Sequence, residues 1–107
     1  MQLADIAHVR SGDKGDIAQI SVIAFRAADF ALLVRWVTSE RVAEHFAALQ
    51  CRRLTRFELP GIGALNFVLE GALPGGVTRT LALDAHGKTL AMQLLSLTIP
   101  EQTDDQS

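Results

Sequence analysis

Seven consecutive residues, Arg10-Ser11-Gly12-Asp13-Lys14-Gly15-Asp16, concentrate the reactive chemistry of this chain. Elsewhere polar side chains are spread at helix or strand spacing. Here a hydroxyl, two acids, two bases and two glycines stand side by side. Two readings fit. In the first, the segment is a hairpin loop, polar because loops face water and glycine-bearing because turns need backbone freedom. In the second, it is a small site. Asp13 and Lys14 would be its catalytic pair, with one moving a proton and the other meeting a carboxylate or phosphate. Arg10, Ser11, Gly12 and Gly15 would bind the substrate through side chains and backbone N–H groups. Asn66 joins this set if it points toward the loop, and is a cap if it does not. Local chemistry alone favours the plain loop, because loops are common and sites are few.

Sharper motifs fail on spacing. A phosphate-binding P-loop needs its lysine after the second glycine and a hydroxyl next to it; here Lys14 precedes Gly15 and Asp16 follows. A dinucleotide fingerprint needs three glycines opening a helix, and only Gly12 and Gly15 are present. Cys51 and the scattered His8, His45 and His86 lack the paired spacing of a zinc site. No nucleophile elbow surrounds Ser11 or Ser21. Arg10 and Lys14 are offset by Asp13 and Asp16, so the segment is formally neutral and could close on itself through ion pairs. No cofactor or metal is expected.

The elements that must position this segment follow from periodicity. Leu3 to Val9 alternates loosely and reads as a first strand. Ile17 to Phe25 fits either period, and its β-branched residues favour a second strand. Asp29 precedes Phe30, Leu33, Val34 and Val37, which share a helical face, so a helix is expected over Asp29 to Val37. Thr38 or Ser39 caps a second helix with the stripe Val42, Phe46 and Leu49. Cys51 to Leu59 reads as a strand with Phe57 and Leu59 toward the core and Arg52, Leu54, Arg56 and Glu58 facing away. Ala64 to Leu73 has Leu65, Val68, Leu69 and Leu73 at helical spacing; a short helix is expected, with a strand over Ala64 to Glu70 as the alternative. Thr78 to Asp84 alternates as a strand, and Asp84-Ala85-His86-Gly87 reads as a turn. Lys88 to Ile99 reads as a long strand, apolar on both sides from Leu94 to Leu97.

The chain has 107 residues, 49% of them hydrophobic, which suits one domain with a real core. A single cysteine excludes an internal disulfide and fits a reducing compartment. No basic-then-apolar leader and no membrane-length apolar run are visible, so a soluble cytoplasmic protein is expected. A net charge of −2 with six aromatics and no tyrosine argues against nucleic-acid binding, Arg52, Arg53 and Arg56 notwithstanding. Cys51 is expected to be a buried structural thiol.

Four motifs together resemble a known family: Arg10-Ser11-Gly12-Asp13-Lys14-Gly15, Leu65-Asn66-Phe67-Val68-Leu69, Gly75-Gly76-Val77, and Leu83-Asp84-Ala85-His86-Gly87-Lys88. In this order they look like the AtuA-like domain, the small ferredoxin-like region at the C-terminal end of acyclic terpene utilisation proteins. The resemblance runs from about Ala4 to Ile99, with one departure at Gln19-Ile20-Ser21. It implies an α+β, ferredoxin-like two-layer sandwich over residues 1–99, with about five mixed or antiparallel strands and helices on one face; the polar, acidic composition of 100–107 separately leads us to expect a disordered tail. The resemblance also implies bacterial breakdown of acyclic terpenes and branched acids as acyl-CoA thioesters, without assigning catalytic residues. The expected role is an accessory subunit, partnered by a larger acyclic-terpene-utilisation-type subunit or by further copies of itself. An acyl-CoA or carboxylate ligand is possible, and neither nucleic acid nor membrane is expected. The alternatives are an independent homo-oligomeric lyase or hydratase, and a non-catalytic binding module. The apolar stretch Leu94 to Leu97 is the expected contact surface.

Overall fold

A computed structural model describes residues 1–14, 17–47, 51–71 and 87–100, with backbone alone at 13–14 and 87–90. Its elements are β1 (Ala7–Lys14), β2 (Ile17–Ala24), α1 (Phe30–Trp36), α2 (Ser39–His45), β3 (Arg53–Leu59), β4 (Ala64–Glu70) and α3 (Gly87–Leu94). The strands form one sheet in the order β1-β2-β4-β3, every neighbouring pair antiparallel. The α+β, ferredoxin-like architecture expected from the sequence is therefore present, with four strands among the described residues. The candidate strand at Thr78 to Asp84, the turn before Gly87 with His86, and the acidic tail lie outside the described residues.

Helices cover one side of the sheet. α3 packs on β1 and β2, α1 on β4 and β2, and α2 on β3. The side chains beneath them come from alternate strand positions: Ala18, Ile20 and Val22 of β2, and Leu65, Phe67 and Leu69 of β4, are all fully buried. Leu33, Val37, Val42, Phe46, Ala91 and Leu94 close the core from above. At the chain ends the backbone N–H of Leu3 donates to Leu97 O at 2.8 Å and that of Ile99 to Met1 O at 2.7 Å, so the first and last described segments clamp together.

Several expectations change. Leu3–Asp5 is a 3-10 turn, closed by the Gln2 N–H donating to the Asp5 carboxylate at 2.8 Å; the first strand starts later and runs on to Lys14. Ala64–Glu70 is a strand, not a helix. Its sequence satisfies both periods, and pairing on both sides between β2 and β3 decides for the strand. Lys88 to Ile99 is not a long strand: Gly87–Leu94 is helical, and a turn follows in which Leu97 N–H donates to Leu94 O. Ala91 and Leu94 lie three apart on one helical face, toward the sheet. Leu94 and Leu97 are consequently buried, so the expected exposed contact surface from Leu94 to Leu97 does not exist.

The third strand faces opposite to expectation. Phe57 and Leu59 are 48% and 41% exposed on the uncovered side, and Arg56 points under the helices. Its guanidinium donates to Val37 O at 3.0 Å and Val34 O at 2.9 Å, satisfying carbonyls that the end of α1 leaves without intrahelical partners. Arg41 serves the same end of α1 from α2, donating to Trp36 O at 3.0 Å and to Thr98 O at 2.7 Å. Thr38 caps α2 as the sequence indicates, its hydroxyl accepting from Arg41 N–H.

Candidate functional site

The second face of the sheet carries no helix among the described residues. Its surface is fixed by register. In antiparallel pairs, directly opposed residues project to the same side. Pairing of Arg10 with Ser21, Ser21 with Asn66 and Asn66 with Phe57 makes one row across all four strands. His8, Ile23, Ala64 and Leu59 form the next row toward the β3–β4 turn. Gly12, Gln19, Val68 and Thr55 form the row on the other side, followed by the Lys14, Ile17, Glu70 and Arg53 positions.

The central row is polar at three of its four positions. Ser21 Oγ donates to Asn66 Oδ1 at 3.0 Å. That bond fixes the amide and leaves its NH2 group without a partner among the described residues. Arg10 is exposed, and its guanidinium likewise forms no ion pair or hydrogen bond among them. Toward the β3–β4 turn the face is apolar. Phe57, Leu59 and Phe25 are exposed, His8 stacks on Phe25 with ring centroids 5.6 Å apart, and Ile62 in the β3–β4 turn is 67% exposed.

The reactive segment is therefore not a loop in its first five residues: Arg10 to Lys14 belong to β1, at the edge of the sheet formed by the described residues. Charged side chains on an edge strand discourage pairing with other chains, which is one structural use for this composition. Arg10 and Asn66 come together in one row, as a joint binding role requires. Ser11 alternates with them and belongs to the helix-covered side. Asp13 and Lys14 occupy successive strand positions, paired with Ala18 and Ile17, and the pleat assigns such positions to opposite faces. Gly15 and Asp16 lie outside the described residues. Gly12 does not make a turn: positive φ is found at Gly63 and Gly71 and not at Gly12. Ser21, bonded to Asn66, was not singled out by sequence reasoning. The pairing register that joins it to Arg10 is a long-range fact with no local signature.

Two other clusters carry less. His45 Nε2 lies 2.9 Å from Gln93 O and 3.3 Å from Ser96 Oγ, which itself donates to Gln93 O at 2.8 Å. A carbonyl only accepts, so Nε2 carries the proton there and cannot activate Ser96. The group closes the end of α3. Cys51 lines an open pocket of about 270 Å3 with Phe46, Leu54 and neighbours, and burial raises its thiol pKa. A protonated thiol is a poor nucleophile, in keeping with a structural role.

A two-layer α+β module, helix-covered on one face and, among the described residues, open on the other around a polar row, is thus what the fold and site define. The chain belongs to the AtuA ferredoxin-like domain family, whose model matches residues 1–100. Searches of curated proteins and of solved structures found no match. "Ferredoxin-like" here describes a fold: a single cysteine cannot supply the four thiolates that usually hold an iron–sulfur cluster.

Proposed function

We propose that this chain is an accessory subunit of a bacterial catabolic system acting on acyclic terpene or branched acyl-CoA-type substrates, and that it works by seating its open sheet face on a larger acyclic-terpene-utilisation-type subunit. One observation supports this above others. Among the described residues the sheet is covered by helices on one face, and Phe25, Phe57, Leu59 and Ile62 are exposed in or beside the row containing Arg10. Contiguous apolar surface of this kind marks an interaction site, and aromatic and arginine side chains are the usual anchors of one. Membership of the family supports a larger subunit of that class as the partner.

In this arrangement β1 carries the reactive segment from the interface outward. Lys14, in the same alternation as Arg10, meets a carboxylate or phosphate at the larger subunit's site. Asp13 stands on the other alternation and orients or accepts a proton from the opposite side.

The test is reconstitution. Each chain is purified and thioester turnover is assayed for the larger subunit alone, this chain alone and the mixture. Activity that needs both supports the proposal, and Lys14→Ala is expected to abolish it while leaving the melting temperature unchanged. Full turnover by the larger subunit alone contradicts an accessory role, and loss of folding in Lys14→Ala makes the segment structural.

A further inference from the structure

Among the described residues nothing requires Gly12 to be glycine. It sits inside β1, where glycine weakens a strand by about 0.5–1 kcal/mol relative to alanine. Its φ is not positive, and a Cβ built on it would meet no atom of the described residues within 4 Å. Gly71 is the contrast, with φ +79° and a Cβ position 3.1 Å from Arg52 atoms. A strand glycine free of such constraints marks a place where something outside the strand comes close to its backbone. Gly12 lies on the open face, in the row next to Arg10, Ser21, Asn66 and Phe57.

We infer that this spot is where the larger subunit presents an acidic side chain: a segment of the partner lies against the Gly12 backbone and places an Asp or Glu carboxylate between the Arg10 guanidinium and the Asn66 amide. The inference rests on the accessory-subunit reading and gives its interface a chemistry. Arg10 and Asn66 stand two strands apart, about 10 Å at their backbones, a gap that an arginine stem and a carboxylate between the two groups can together span. Ser21 holds Asn66 Oδ1, so the amide offers only donors outward. Guanidinium and amide donors together select a carboxylate, and the Phe57 and Leu59 side chains on the β3 side limit water there and strengthen those bonds. A second copy of the chain is the less suitable occupant. Face-to-face pairing about a two-fold axis along this row sets Arg10 against Arg10, a like-charge contact that costs affinity, and pairing about an axis parallel to the strands sets Arg10 against Phe57; neither brings a carboxylate to the guanidinium.

The experiment is titration calorimetry of the purified larger subunit with wild-type chain, Gly12→Val, Arg10→Ala, Asn66→Ala and, as a control on the helical side, Glu44→Gln. Thermal melts and sedimentation of each variant run alongside. The expected result is a dissociation constant raised at least tenfold by Gly12→Val and by Arg10→Ala, several-fold by Asn66→Ala and not at all by Glu44→Gln, with Gly12→Val melting at or above wild type because valine suits a strand. Wild-type affinity in both Gly12→Val and Arg10→Ala overturns the inference but leaves the accessory role standing. No binding by the wild-type chain overturns both. A wild-type homodimer that Arg10→Ala or Gly12→Val disrupts assigns the face to a second copy and overturns the inference as well.

Discussion

Replacing Arg56 by methionine tests whether the arginines of the third strand are a surface patch or part of the frame. Its side chain is 18% exposed, and two of its nitrogens donate to backbone carbonyls, Val37 O at 3.0 Å and Val34 O at 2.9 Å. Both acceptors belong to the end of α1, where carbonyls lack helical partners and the macrodipole is negative. A hydrogen bond from a charged donor contributes about 1.5–3 kcal/mol, and the two share one side chain, so their loss is less than additive. Methionine keeps the apolar stem, which limits the packing loss. Arg56→Met should therefore cost about 2–4 kcal/mol, a drop in melting temperature of roughly 8–20 °C for a domain of this size. The ion pair with Glu58, whose side chain is 47% exposed, adds little to that sum. Arg53→Met, at an exposed position of the same strand, is the control and should stay within about 0.5 kcal/mol. Urea unfolding followed by circular dichroism reads both. An Arg56→Met chain within 0.5 kcal/mol of wild type would refute the reasoning, since two carbonyls of α1 would then have lost their donors at no cost.

Three further outcomes are expected. Gly71→Ala should destabilise by about 1–3 kcal/mol in the same unfolding assay, because an L side chain resists φ +79° and its Cβ would press on Arg52 at 3.1 Å; an unchanged midpoint contradicts that conformation. Leu94→Ala should cost about 2–5 kcal/mol, since the fully buried side chain anchors α3 to the sheet; a near-neutral change would return the segment to a surface strand. Cys51 should alkylate more slowly with iodoacetamide than a free thiol at pH 8, because desolvation raises its pKa above the usual 9.0 and keeps it protonated. The same shift makes stability fall, not rise, as pH climbs through the unfolded thiol's pKa, where the unfolded chain ionises first.

Much of the helical layer was legible because its signals are local. The Phe30, Leu33, Val37 spacing and the Thr38 cap each sit within a few residues, and both helices appear where these place them. The second strand was legible from Ile20 and Val22 for the same reason. Asp29 is a partial exception: its carboxylate pairs with Arg26 at 3.3 Å and does not cap α1. What was misread depends on contacts between distant residues. Leu65, Val68 and Leu69 suit a helix, Leu65, Phe67 and Leu69 suit a strand, and only the flanking strands choose. Leu94 to Leu97 looked two-sided because a helix end and the turn after it both dip into one core. Phe57 and Leu59 could not be assigned to a face from alternation alone, since both sides of β3 hold apolar residues and a register shift of one exchanges them. For the candidate site, Arg10, Gly12 and Asn66 were visible as residues of interest. Their meeting in neighbouring rows, and the part of Ser21, needed the strand order β1-β2-β4-β3.

The central claim is that the uncovered side of the sheet is the working surface. Methyl-resolved NMR of the labelled chain, titrated with the larger subunit, tests it most directly, because each side of the sheet has its own reporters. Ile23, Leu59, Ile62 and Val68 should shift or broaden, while Leu33, Leu65 and Leu94 beneath the helices should hold their positions. Perturbation confined to the helical side, or spectra unchanged at saturating partner, would contradict it.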